Sequence, residues 1–192
     1  AEEIKQREAD AIAYAKANPG KLNYSSSGNG GLPHMAGEMF ASVAGVKMTH
    51  VPYKGGSPML IDLMGGQVAI GIDNLPSSMA YIRAGKVKAL AVTTTKRWPG
   101  APEIPTMAEA GVVGYDVSAW FGLLAPAGTP KPVINVLSTN MMAILRTPEI
   151  TKQFFELGAE PVGDTPAQFA QFIQQEGSKW TKVARTNNIK LE

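Results

Sequence analysis

The feature that most restricts this chain is the spacing of its short apolar runs. Val68-Ala69-Ile70-Gly71-Ile72 and Ala89-Leu90-Ala91-Val92-Thr93 are too short for helices and show no polar alternation, as expected of strands covered on both faces. Residues 21–26 and 46–53 read as two earlier strands, the second alternating Val46, Met48 and His50 with Lys47, Thr49 and Val51. Helix-length segments stand around and between them, each closed by a breaker: residues 4–17 before Asn18-Pro19-Gly20, 33–43 before Gly45, 57–64 before Gly65-Gly66, and 76–84 before Gly85. Neighbouring parallel strands need a crossover, usually helical, so this alternation predicts an α/β layered fold.

Beyond about residue 118 the pattern changes. Residues 115–126 form the longest strand-like run, rich in aromatics at Trp120 and Phe121, and its length suits a segment crossing between lobes. Thr129-Pro130, Thr147-Pro148 and Thr165-Pro166 each place a capping residue before a first-turn proline and predict amphipathic helices over 131–146, 148–157 and 166–187. Thr165 and Gln168 also match a capping box. The chain therefore divides into an α/β unit over 1–118 and a crossover with helices over 119–192. Helices with so little strand of their own call for a sheet from elsewhere. The opening residues, 1–8, read as a charged helix already under way, as in a piece of a longer protein.

Composition excludes several function classes. Eighteen Lys and Arg against sixteen Asp and Glu leave a net charge of +2, far from the basic footprint of a nucleic-acid binder. Without cysteine there is neither a disulfide nor a thiolate site, and two histidines cannot form a three-histidine metal centre. No metal and no cofactor is expected. No apolar run reaches the roughly 20 residues of a membrane span.

Chemistry is expected at Tyr24-Ser25-Ser26-Ser27-Gly28-Asn29-Gly30-Gly31-Leu32-Pro33-His34, where a strand runs through a glycine turn into a helix. The first turn of a helix leaves backbone N–H groups without intrahelical partners and carries the positive end of the macrodipole, so it attracts an anion. The turn fits no stricter template. Pro33 replaces the third glycine of a dinucleotide fingerprint, and the Gly-Lys-Ser/Thr ending of a phosphate loop is absent. Gly-x-Ser-x-Gly is also missing, leaving a hydrolase built on Ser26 or Ser27 with His34 as a minor alternative. His34 could meet an anion or hold the turn; His50 reads as a half-buried structural histidine. Asp73-Asn74 ends a buried strand, where open α/β sheets bind ligands, or else caps the next helix. Lys54, after another strand end, offers a charge to an anion or to solvent.

Several stretches in order resemble one family: residues 14–24; the Gly28-x-Gly30 turn leading to His34-Met35-Ala36-Gly37-Glu38; His50-Val51-Pro52-Tyr53-Lys54-Gly55-Gly56; Gly65-Gly66-Gln67-Val68 with Asp73; Pro102-Glu103-Ile104-Pro105-Thr106; and Trp120-Phe121-Gly122-Leu123-Leu124-Ala125-Pro126. They resemble the periplasmic solute-binding proteins of tripartite tricarboxylate transporters, the Bug type. The resemblance implies a type II periplasmic-binding-protein fold with one α/β lobe over 1–118 and a mostly helical tail from an incomplete second lobe. It implies a monomer when full length, non-catalytic, that closes on a small organic carboxylate (a di- or tricarboxylate, an aromatic acid or an amino acid) and delivers it to membrane permease components. A ligand-sensing partner of a signalling receptor is the other reading that the same fold would serve. Carried over, Ser26, Ser27, Gly28, Asn29, Gly30 and Gly31 would present backbone amides to a carboxylate, with His34 behind them and Asp73 and Asn74 lining the cleft. Many members have Ser or Thr where Gly31 stands, so here the backbone N–H must serve in place of a hydroxyl.

Overall fold

The computed structural model describes residues 2–186 and residue 189. It divides into two compact units, residues 1–119 with 182–192, and residues 120–181. In the first, helix α1 (Glu2–Ala17) precedes three strands, β1 (Asn23–Ser26), β2 (Thr49–Pro52) and β3 (Ile70–Gly71), each followed by a helix: α2 (Leu32–Ala44), α3 (Gly56–Met64) and α4 (Leu75–Arg83). The sheet is parallel in the order β2-β1-β3, with Tyr24 abreast of both His50 and Ile70. Neighbours in space that are not neighbours in sequence make a topological switch point between β1 and β3, the place where such sheets bind ligands beyond the strands' carboxyl ends.

Successive side chains of β1 serve opposite faces. Tyr24 lies against Gly37 of α2, while the Ser25 hydroxyl donates to the Ile70 carbonyl (3.1 Å) on the side where Gly71 faces Leu63 of α3. With α2 and α3 both packed on it, β1 is sealed, and Tyr24, Ser25 and Ser26 are fully buried. Below, Ala15, Leu22 and Val46 join Ile12, Phe40 and Met48 in one core cluster; Met79, Ala101 and Ile104 centre a second around α4.

Three local expectations change. Residues 89–93 form a single parallel bridge, Val92 to Thr106, not a strand. The segment alongside leaves after one residue because Thr106 opens a turn closed reciprocally with Glu109, at 2.8 and 3.2 Å. Residues 115–126 are not a strand either. Tyr115 and Val117 are buried, but residues 118–128 are exposed and no described strand pairs with them. Helix α3 begins at Gly56 rather than at Ser57, because Gly55 turns the chain at φ 115°, ψ 171°, a conformation that needs glycine.

In the second unit, α5 (Lys131–Leu145), α6 (Pro148–Leu157) and α7 (Pro166–Thr186, running on into the first unit) match the three Thr-Pro starts; residue 187 of the expected last helix lies outside the described residues. The box at Thr165 forms, with Gln168 N–H donating to Thr165 Oγ1 (3.3 Å) and Thr165 N–H to Gln168 Oε1 (3.0 Å). None of the three helices contains a buried residue. Val133, Val136, Leu137, Met141 and Ile144 leave an apolar stripe of α5 exposed.

Candidate functional site

All three strands deliver the chain to the same edge of the sheet, and each loop there opens a helix. Residues 27–31 lead from β1 to α2, residues 53–55 from β2 to α3, and residues 72–74 from β3 to α4. Parallel pairing fixes this convergence. The cap positions, Gly31, Gly55 and Asn74, make no side-chain capping bond, so three positive helix ends stand together without a side-chain cap. Of the two readings of Asn74, its backbone takes the cap position of α4 but its side chain does not cap.

The glycine turn uses some of its amides internally and leaves others open. Gly28 N–H donates to Ser26 Oγ (3.3 Å) and Gly30 N–H to His34 Nδ1 (3.0 Å), whereas the N–H groups of Asn29, Gly31 and Leu32 make no hydrogen bond with any described residue. Asn29 and Gly31 are exposed; Gly28 and Gly30 are half-buried. The turn is anchored to its neighbour loop by Tyr53 N–H donating to Ser26 O (3.0 Å) and Gly55 N–H to Ser27 O (3.2 Å). Two residues past the paired Ser25 and Gly71 come Ser27 and Asp73, which puts the turn beside the Asp73-Asn74 loop at the switch point. The Asp73 carboxylate accepts from Ser78 Oγ (2.7 Å), and a Cβ on Gly56 would stand 3.5 Å from its other oxygen, so it rests between the openings of α3 and α4. Lys54 is exposed beside them.

Beneath the turn lies a polar stack. The imidazoles of His34 and His50 are parallel at 3.9 Å and 6°, and Tyr24 stacks on His50 at 5.0 Å. His50 Nε2 is 2.7 Å from Ser26 Oγ, Tyr24 OH donates to Glu38 Oε1 (2.7 Å), and His34 Nε2 lies 3.9 Å from the same oxygen. Burial pushes His50 down to about 4, with His34 adding to the shift and Glu38 opposing it; burial also lowers His34, again against Glu38. Both rings are thus neutral near pH 7. Burial and the Glu38 carboxylate raise the Tyr24 phenol well above its ordinary value.

This geometry bears on the hydrolase alternative. Ser26 pairs with His50, not with His34, and is wholly buried; His34 is occupied with Gly30. A nucleophile sealed under a turn meets no substrate. No cluster of three or more metal-ligating side chains occurs among the described residues. Sequence reasoning included Tyr24 and Leu32 in the stretch and Gly37 and Glu38 in a motif, but gave none of them a role at the site. The pair His34 and Glu38, four residues apart on one helical face, was the available signal.

A family model described as "Tripartite tricarboxylate transporter family receptor" matches residues 4–189. Among solved structures, the chain is similar to Rpa4515 of R. palustris with adipate (44% identity, TM-score 0.89, covering 94% of this chain and 60% of that one). It is similar to the periplasmic binding protein BugD (34%, TM-score 0.80, 94% and 61%) and to MatC of Rhodopseudomonas palustris with bound malate (31%, TM-score 0.78, 91% and 60%). It spans about half the length of the curated relatives it matches, 51% and 56% of the first two. Sequence motifs, parallel sheet and fold neighbours agree, and the chain belongs to the Bug-type receptor family of the tripartite tricarboxylate transporters.

Proposed function

We propose that the carboxyl edge of this sheet holds one carboxylate of a small organic acid, as one jaw of an extracytoplasmic, periplasmic receptor that delivers its ligand to the membrane components of a tripartite tricarboxylate-type transporter. The family is one of solute receptors and not of enzymes, and two of its fold neighbours carry dicarboxylates. The observation that carries the reading is the group of amides at Asn29, Gly31 and Leu32 without a partner among the described residues, on a helix start with no side-chain cap at the switch point. Asp73 and Asn74 would border the ligand. A carboxylate at a helix end gains roughly 0.3–2 kcal/mol. That is weak binding, so a tight receptor needs a second jaw.

The second unit supplies the other half of the reading. Its helices have apolar faces and no buried side chain, and Trp120, Phe121, Leu123 and Leu124 stand exposed on an unpaired extended segment. Residues 119–192 are then the return to a lobe whose remaining strands lie in the portion of the relatives that this chain does not match. The full-length receptor is a monomer in this reading.

The test is a titration of the 192-residue chain, labelled with 15N, with adipate and malate to about 50 mM, using chloride as the ionic-strength control. Shifts confined to the amides of residues 29–32 and 73–75 support the site. Shifts elsewhere, or none, refute it.

A further inference from the structure

The stack under the turn is not explained by carboxylate binding alone, since its hydrogen bonds run to one another and to the turn's own backbone. We propose that His34 and His50 are positioning residues: a paired clasp that ties the amides of Gly28 and Gly30 inward and so leaves those of Asn29, Gly31 and Leu32 aimed at a carboxylate. The inference rests on the binding site proposed above.

The clasp has two ends. At one, Ser26 Oγ accepts from Gly28 N–H (3.3 Å); with its own proton given to Gly28 O (3.1 Å), His50 Nε2, 2.7 Å away, is assigned as the donor to it. At the other, His34 Nδ1 accepts from Gly30 N–H (3.0 Å), which leaves the ring proton on Nε2, toward Glu38. Both rings therefore hold their proton on Nε2. Stacking at 3.9 Å joins the two ends, and Tyr24, which also stacks on His50, donates to the carboxylate of Glu38. With the amides of Gly28 and Gly30 taken up by Ser26 and His34, those of Asn29, Gly31 and Leu32 are the ones the clasp leaves for a ligand.

The device works only while neutral. A second proton on His34 would set an N–H against the Gly30 N–H, two donors facing each other. The titratable groups around the pair are Tyr24 on β1 and Glu38 on α2, and burial keeps both rings uncharged near neutrality.

The test separates acceptor from ring. His34→Asn places an oxygen near the position of Nδ1 without the stack; His34→Phe keeps a stacking ring without an acceptor. In the 192-residue chain at pH 7, 15N spectra should show both wild-type imidazoles protonated on Nε2. His34→Phe should lose hydrogen-exchange protection at Gly30 and bind adipate roughly tenfold more weakly, a change of about 1.4 kcal/mol. His34→Asn should keep both within about threefold, or about 0.65 kcal/mol. Nδ1-protonated rings, or wild-type adipate affinity in His34→Phe, would overturn the proposal; so would equal losses in both variants, which mark a merely structural role. If the wild type binds no carboxylate, the proposed site fails, while the tautomers and Gly30 protection still decide the clasp.

Discussion

Gly37 sits inside α2 and offers a sharp test, because local and tertiary physics give opposite signs there. Helix propensity alone says that Gly37→Ala stabilises by about 1 kcal/mol. The fold says otherwise. An added Cβ would lie 2.2, 2.5 and 2.9 Å from three ring atoms of Tyr24, closer than real Cβ contacts come. Tyr24 cannot swing away: it is fully buried, stacked on His50 and bonded to Glu38. Overpacking a filled core costs about 1–3 kcal/mol, and losing a buried bond to a charged acceptor about 1.5–3 kcal/mol. Even if only half of the second term is realised, the sum less the propensity gain is a net loss of about 1–3 kcal/mol. Urea unfolding followed by circular dichroism would read it as a lower midpoint at an unchanged slope. Because Tyr24 supports His50, the Gly30 amide should also shift in the 15N spectrum. A variant as stable as wild type or more so refutes the claim that this contact, rather than helix propensity, governs position 37.

Two further outcomes follow from the same physics. His50 has a folded-state pKa of about 4 against 6.5 when unfolded, so the unfolded chain binds more protons between those values, and stability falls as pH drops from about 6.5 to 4. The ceiling is about 3 kcal/mol; solvent screening at this half-buried ring reduces it to about 1–2 kcal/mol, and a urea series in which His50→Gln keeps the full wild-type pH slope would contradict the assignment. Thr165→Ala removes the capping box of α7 and should cost about 1 kcal/mol in thermal unfolding, with Thr165→Ser restoring most of it. An unchanged midpoint in the alanine variant would mean that this helix start carries no stability of its own.

What the sequence determined is what depends on neighbours along the chain. Apolar runs of strand length between glycine- and proline-closed segments specify alternating strands and helices, and Thr165 with Gln168 specify a helix start, because these signals act over four residues or fewer. Where an element needs a distant partner, the local pattern overreached: residues 89–93 and 115–126 have strand composition, yet a strand exists only where another backbone runs beside it, and Thr106 turns away after one residue. The same distinction applies to the candidate site. The anion-ready turn is visible as Gly28-Asn29-Gly30-Gly31 before Leu32. Of the contacts that take its amides inward, the one from His34 to Gly30 is local, four residues apart, but the one from His50 to Ser26 spans 24 residues and was decided only when β2 paired with β1. Parallel pairing, a long-range choice that no local pattern encodes, then set three helix amino ends at one edge of one sheet.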